Sequence, residues 1–142
     1  MCVILDASMY GDFLKDDEHM KPVKDWIKKG GTIVFSETYK MQEELHKSSG
    51  MYELFREYRR RDILTRVDKS AVEKKQRQLV ASKRLKSDDP HIIALASVAN
   101  VKLLISKDKA LHQDFKNVIG GSIYQYKEQE HLLRKNPCRH SR

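Results

Sequence analysis

Three short runs of the chain are apolar without alternation: "CVILD" at 2–6, "TIVFS" at 32–36 and "VKLLIS" at 101–106. A strand with one wet face alternates polar and apolar residues. A strand covered on both faces does not, so these runs predict a parallel sheet buried between helices. The stretches between them carry helical periodicity. Val23, Trp26 and Ile27 mark one apolar face over about 20–29. "KKGG" then supplies a helix end and a glycine stop before the second strand. Residues 37–59 predict two helices broken near Ser48–Gly50. A charged helix follows from about Lys69 to Lys83, and a short helix over 109–115. Ile63–Val67 predicts a short strand after the basic cluster "RRRD", and "GGSIYQYK" a last edge strand after its glycines. Asn100 is placed as a left-handed cap before the third buried run. Strands alternating with helices give an α/β fold, a three-layer α/β/α sandwich with a mainly parallel central sheet.

Residues 90–99, "PHIIALASVA", differ from the other helices in having almost no polar side, so this helix is buried. Two acids, Asp88 and Asp89, stand directly before it. Proline suits the first helical position, and an aspartate before it can cap the free N–H groups and complement the helix dipole. That accounts for one carboxylate, at the mouth of a helix that starts near the interior. His91 reads as packing in the first turn.

The 142 residues suffice for one core. A hydrophobic fraction of 39% and a charged fraction of 34% fit a water-soluble domain. The formal net charge is +8 and the pI about 9.5. All of the excess lies between Arg56 and Lys86, where twelve Lys and Arg face four Asp and Glu. Such a basic segment is the footprint of a polyanion, nucleic acid first, against the alternative of a solvated helix face. Cys2 and Cys138 are far apart and in no metal spacing. They predict a reducing, cytoplasmic setting rather than a disulfide scaffold. Cys138 and His140 form only a C-x-H. "MCVILDAS" reads as neither a signal peptide nor a membrane span.

Open parallel sheets bind ligands at the carboxyl ends of their strands. The first run ends at Asp6, followed by Ala7 and Ser8. The second ends at Ser36, before Glu37, Glu43 and Glu44. The third ends in Ser106, Lys107 and Asp108. Helices run antiparallel to strands in such folds, so the start of the 90–99 helix brings Asp88 and Asp89 to the same edge. Gathered carboxylates repel one another unless a cation neutralises them. Oxygen-only donors suit Mg²⁺ or Mn²⁺ and argue against structural zinc. With phosphate-binding Lys and Arg nearby, that layout suits phosphodiester hydrolysis.

"VILDAS", the acidic helix after the second strand, "SDDPHIIALA" and "LLISKDKALHQDF" together resemble the successive motifs of the PIN-domain nucleases. The resemblance covers residues 1–126, leaving 127–142 as a loose basic tail. It implies a metal-dependent endoribonuclease cutting single-stranded RNA to leave 5′-phosphate and 3′-hydroxyl ends. It also implies Mg²⁺ or Mn²⁺ as cofactor, and in toxin-type members a cognate antitoxin and often a homodimer. Matched by motif, the acids are Asp6, Glu44, Asp89 and Asp108, with Asp6, Asp89 and Asp108 as metal ligands. For the helix acid, Glu43 is the near alternative to Glu44. Position alone favours Glu37, nearer the strand end and on one helical face with Glu44 at i, i+7. Ser8 and Ser106 could bond a water or a phosphate oxygen, or simply cap strand ends. Asp88 could support the site as a further acid, and Asp114 could assist a second metal. RNA contacts are expected from Arg59, Arg60, Arg61, Lys74, Lys75 and Lys107. Tyr52, Phe55 and Tyr58, three apart on a helix, offer base stacking or core packing. A catalytically inactive fold that binds RNA or a protein partner is the alternative. A phosphotransfer domain fits poorly, because Ser8 stands where a second phosphatase aspartate is needed and Ser36 where a receiver aspartate is needed.

Overall fold

The computed structural model describes residues 2–134. Five parallel strands form one sheet in the order β3-β2-β1-β4-β5. They are β1 (Cys2–Leu5), β2 (Thr32–Ser36), β3 (Leu64–Val67), β4 (Leu103–Ile105) and β5 (Ser122–Tyr124). Every residue of β1, β2 and β4 is buried, which is why their sequences show no alternation. The helices are α1 (Tyr10–Leu14), α2 (Lys21–Lys28), α3 (Tyr39–His46), α4 (Ser49–Arg60), α5 (Lys69–Ser82), α6 (Pro90–Ala99), α7 (Lys109–Asp114) and α8 (His131–Arg134). The whole is a three-layer α/β/α sandwich, as the sequence pattern predicts. None of these helices is long and apolar enough to cross a membrane.

The strand order carries the functional geometry. The chain moves from β1 to β2 to β3 in one direction, then returns past β1 to β4 and β5. Right-handed crossovers therefore place α1, α2 and α4 on one face and α5, α6 and α7 on the other. The order reverses between β1 and β4, and the crevice beyond their carboxyl ends is where such sheets take ligands. α6 packs on α5, β2 and β3. Residues His91 to Ala96 are all buried along it, so the apolar composition of this stretch reflects enclosure, while Val98 near the helix end is exposed.

Turn chemistry fixes the joints. Ser48 caps α4 by accepting from the Met51 N–H, at the predicted break. Asn100 ends α6 in the left-handed conformation, φ 54°. Gly30 closes α2 at φ +107°, and a Cβ on Gly121 would stand 2.5 Å from the Lys102 carbonyl oxygen, so β5 can only be entered through glycine. α7 continues into a π-helical turn, Phe115–Ile119.

Two expectations need correction. Residues 127–134 are not a loose tail. The Lys127 N–H donates to His19 Nδ1, Lys127 Nζ pairs with Glu18, and Leu133 is buried; the rest of that segment lies outside the described residues. Cys2 is disulfide-bonded, not a free thiol. Cys138 and His140 lie outside the described residues.

Candidate metal centre

Asp6 follows β1 directly and is buried, with its N–H bonded to the Ile105 carbonyl at 2.9 Å. Its Oδ2 accepts from Ser8 Oγ at 2.6 Å and Ser106 Oγ at 2.9 Å. The two hydroxyls are in turn tied to the next loop: Lys107 N–H donates to Ser8 Oγ and Asp108 N–H to Ser106 Oγ. Ser8 and Ser106 are thus the struts that hold one oxygen of Asp6 and so orient the other. This goes beyond both roles read for them in the sequence.

Of the three candidate glutamates, Glu44 reaches the centre. Its Oε1 lies 3.3 Å from His91 Nε2. Glu37 precedes α3, so it shares no helical face with Glu44, and it is turned outward to Arg66 Nη1 at 2.6 Å. Glu43 faces Tyr39 and Lys47 on the exposed side. The position of α3 explains the choice. Its first residues, Tyr39 and Lys40, line a depression with Glu73, Gln76 and Arg77 of α5, while the helix also packs on α4. α3 therefore lies across the carboxyl edge of the sheet, which brings a second-turn residue to the crevice.

Asp89 occupies the N-cap position of α6 at φ −121°, but its carboxylate makes no capping hydrogen bond. It is half-buried, and its pKa is pushed up to about 6 by burial first, then by the charges of Asp6 and Glu44, against the opposing pull of His91 and Lys40. Two of the same acids act on Tyr10, buried beside Phe55. Burial first, then Glu44 and Asp6, push its phenol above the ordinary range. Glu44, Asp89 and His91 each offer a ligand atom, all within 4.8 Å of one another. His91, read in the sequence as packing, is the residue that sequence reasoning missed. Asp89 and His91 stand two apart, which on a regular helix turns side chains away from each other. The non-helical backbone of Asp89, φ −121° and ψ 56°, lets both face Glu44.

The remaining candidates divide. Asp108 Oδ1 caps α7, accepting from the Ala110 and Leu111 N–H groups at 3.1 and 3.2 Å. Asp108 lies outside the Glu44, Asp89 and His91 group and is absent from the charges acting on Asp89. Asp88 is exposed and lines a depression with Leu79, Lys83 and Pro90 on the α5 side. Asp114 is buried and bonds backbone N–H groups, to Lys86 at 2.9 and 3.0 Å and to Ser87 at 2.8 Å. It anchors the loop carrying Asp88 and Asp89, in place of the second-metal role offered by its sequence position.

The basic segment is split by the topology. α4 runs from the carboxyl edge to the amino edge of the sheet, a rise of about 18 Å. Arg59, Arg60 and Arg61 therefore end up where β3 begins, toward the edge opposite the acids, although the Arg59 side chain lines a depression shared with Glu37 and Gln42. Phe55 and Tyr58 are core residues, while Tyr52 is half-buried and meets the His46 ring at a tilt, centroids 5.0 Å apart. Lys74 and Lys75 lie on α5, which starts at the acidic edge. Lys107 is at that edge too, 3.3 Å from Asp12.

The raised pKa of Asp89 gives a signed prediction for the metal-free protein. A carboxyl whose folded pKa exceeds its unfolded value, near 3.9, holds its proton more tightly when folded. That stabilisation is fully present below about pH 4 and lost as pH rises through about 6. Asp89→Asn removes the loss. After allowance for solvent screening it is expected to stabilise the protein by about 1 kcal/mol at pH 7.5, roughly 3 °C in Tm, with little difference near pH 4. Melting curves in EDTA at the two pH values check this. Equal curves at pH 7.5 would mean that Asp89 is not repelled there.

No family model, curated protein or solved structure matches the chain.

Proposed function

We propose that the protein is a metal-dependent endoribonuclease acting on single-stranded RNA. The observation that carries this reading is the convergence of Asp6, Glu44 and Asp89 at the point where the strand order reverses, with Asp89 pushed up to about 6 partly by the other two. The charges of Asp6 and Glu44 add to the cost of ionising Asp89, and a divalent cation fits such a cluster of acids. Asp6, Glu44 and Asp89 would hold the Mg²⁺ or Mn²⁺ that the resemblance to PIN-domain nucleases implies; Glu44 takes the place of Asp108, the third metal ligand by resemblance, whose Oδ1 caps α7. The ion, when bound, supplies charge neutralisation, an activated water and stabilisation of the phosphoryl oxygens.

The protein's own residues do the positioning. Ser8 and Ser106 fix the direction of the Asp6 carboxylate. Asp114 fixes the loop that delivers Asp89. Lys40, whose charge already acts on Asp89, and Lys107 at the mouth of the crevice attract phosphate. The basic residues of α5 extend that field along one side. The backbone is held mainly through its charge, so binding weakens steeply with salt.

The test is incubation of end-labelled single-stranded RNA with purified protein in Mn²⁺, Mg²⁺ or EDTA. Cleavage in either metal, none in EDTA, and 5′-phosphate product ends are expected. RNA that is retarded in a gel but uncut under every metal would leave a binding module in place of an enzyme.

A further inference from the structure

His91 is 1% exposed, and neither of its ring nitrogens has a hydrogen-bond partner. Its Nε2 stands 3.3 Å from Glu44 Oε1, too poorly aligned to count as a hydrogen bond. Burying a polar nitrogen without a partner is costly, because the water it gives up is not replaced. A purely structural histidine would find a carbonyl or a hydroxyl, as the half-buried His112 does with the Ser106 carbonyl at 2.6 Å. His91 instead stands beside two carboxylates, with its ligand atom and those of Glu44 and Asp89 all within 4.8 Å of one another.

We infer that His91 is an inner ligand of the centre, so that Glu44, Asp89 and His91 form a mixed nitrogen–oxygen site selecting an imidazole-accepting transition-metal ion such as Mn²⁺ over Mg²⁺. The inference rests on the reading of the acidic crevice as a metal centre and specifies its metal class. The three donor atoms lie within 4.8 Å of one another. Donors on one ion at about 2.0–2.2 Å lie some 3–4 Å apart, so shifts of under an ångström in two mobile carboxylates close the set. Mg²⁺ keeps its waters and takes oxygen donors, whereas the first-row transition-metal ions accept nitrogen as well, Mn²⁺ the least tightly of them. An enclosed imidazole with a vacant nitrogen therefore adds affinity for Mn²⁺ and little for Mg²⁺.

Electron spin echo spectroscopy of the Mn²⁺-loaded full-length protein tests this, because it detects a nitrogen bonded to the ion independently of any activity. Nitrogen coupling of imidazole type is expected in the wild type and absent in His91→Gln. Mn²⁺ affinity, titrated by the loss of the free-ion signal, should fall about 100-fold in that variant, since even residues beyond the ligand set are worth roughly 10–100-fold. The affinity for Mg²⁺, measured by competition, should change less than about threefold. Bound Mn²⁺ without nitrogen coupling in the wild type, or coupling that persists in His91→Gln, would overturn the inference and leave the nuclease reading intact. Failure of Mn²⁺ to bind in any way that Asp6→Asn, Asp89→Asn abolishes would instead remove the metal centre itself. If His91→Gln does not fold, His91→Asn is the second variant, and the wild-type spectrum alone can still refute the assignment.

Discussion

Asp6→Asn is expected to lower the rate of RNA cleavage about a thousandfold while moving the melting temperature by only a few degrees. The two side chains have the same shape, and the asparagine carbonyl can take over the hydrogen bonds that Ser8 and Ser106 give to Oδ2. What disappears is the negative charge and the second acceptor oxygen, replaced by an NH₂ group that cannot bind a cation. A thousandfold corresponds to about 4 kcal/mol of lost transition-state stabilisation, the size seen when one preorganised electrostatic group is removed. The stability change stays small because two effects offset each other. The hydroxyl bonds lose their charge assistance, but Asp89 is relieved of a repelling neighbour. Retention of RNA in a gel shift should change less than about twofold, since phosphate contacts lie on other residues. Cleavage at an undiminished rate would place the chemistry elsewhere on the molecule.

The framework was legible because burial on both faces leaves a signature in composition. β1, β2 and β4 announce themselves by lacking alternation, and α6 by lacking a polar side. Asp6 and Asp89 followed from topology alone, since strand ends and helix starts share an edge. The rest was hidden by local departures from regular geometry. Helical spacing could not separate Glu37 from Glu44, because α3 starts after Glu37 and then crosses the sheet edge, a tertiary placement with no periodic trace. His91 reads as first-turn packing in the sequence, and nothing in the local pattern shows that the non-helical backbone of Asp89 turns both residues toward Glu44. Arg59, Arg60 and Arg61 form the densest basic cluster in the sequence, yet the length of α4 carries them toward the opposite edge. Asp114 was read by its distance from Asp108 along the chain. Its partners, Lys86 and Ser87, come from a loop that packing delivers to it.

That loop sets up the second large effect. Asp114→Ala is expected to destabilise the protein by about 3 kcal/mol and to lower cleavage by roughly ten- to a hundredfold. The carboxylate accepts the N–H groups of Lys86 and Ser87 in a partly buried setting, and hydrogen bonds to a charged group are worth about 1.5–3 kcal/mol each. Removing it leaves both donors without their acceptor. The melting temperature should fall by about 10 °C. The activity loss has a different origin. Asp89 follows Ser87 by two residues, and misplacing a reacting group by an ångström can cost about a hundredfold. Asp114→Asn keeps one acceptor oxygen and should fall between wild type and alanine in both measurements. The pairing of the two losses separates this role from that of a further metal acid. A residue that only held a second ion would lose activity on replacement by alanine with an unchanged melting temperature in EDTA. A residue that holds the loop must lose both, and its stability loss must persist when every metal has been removed.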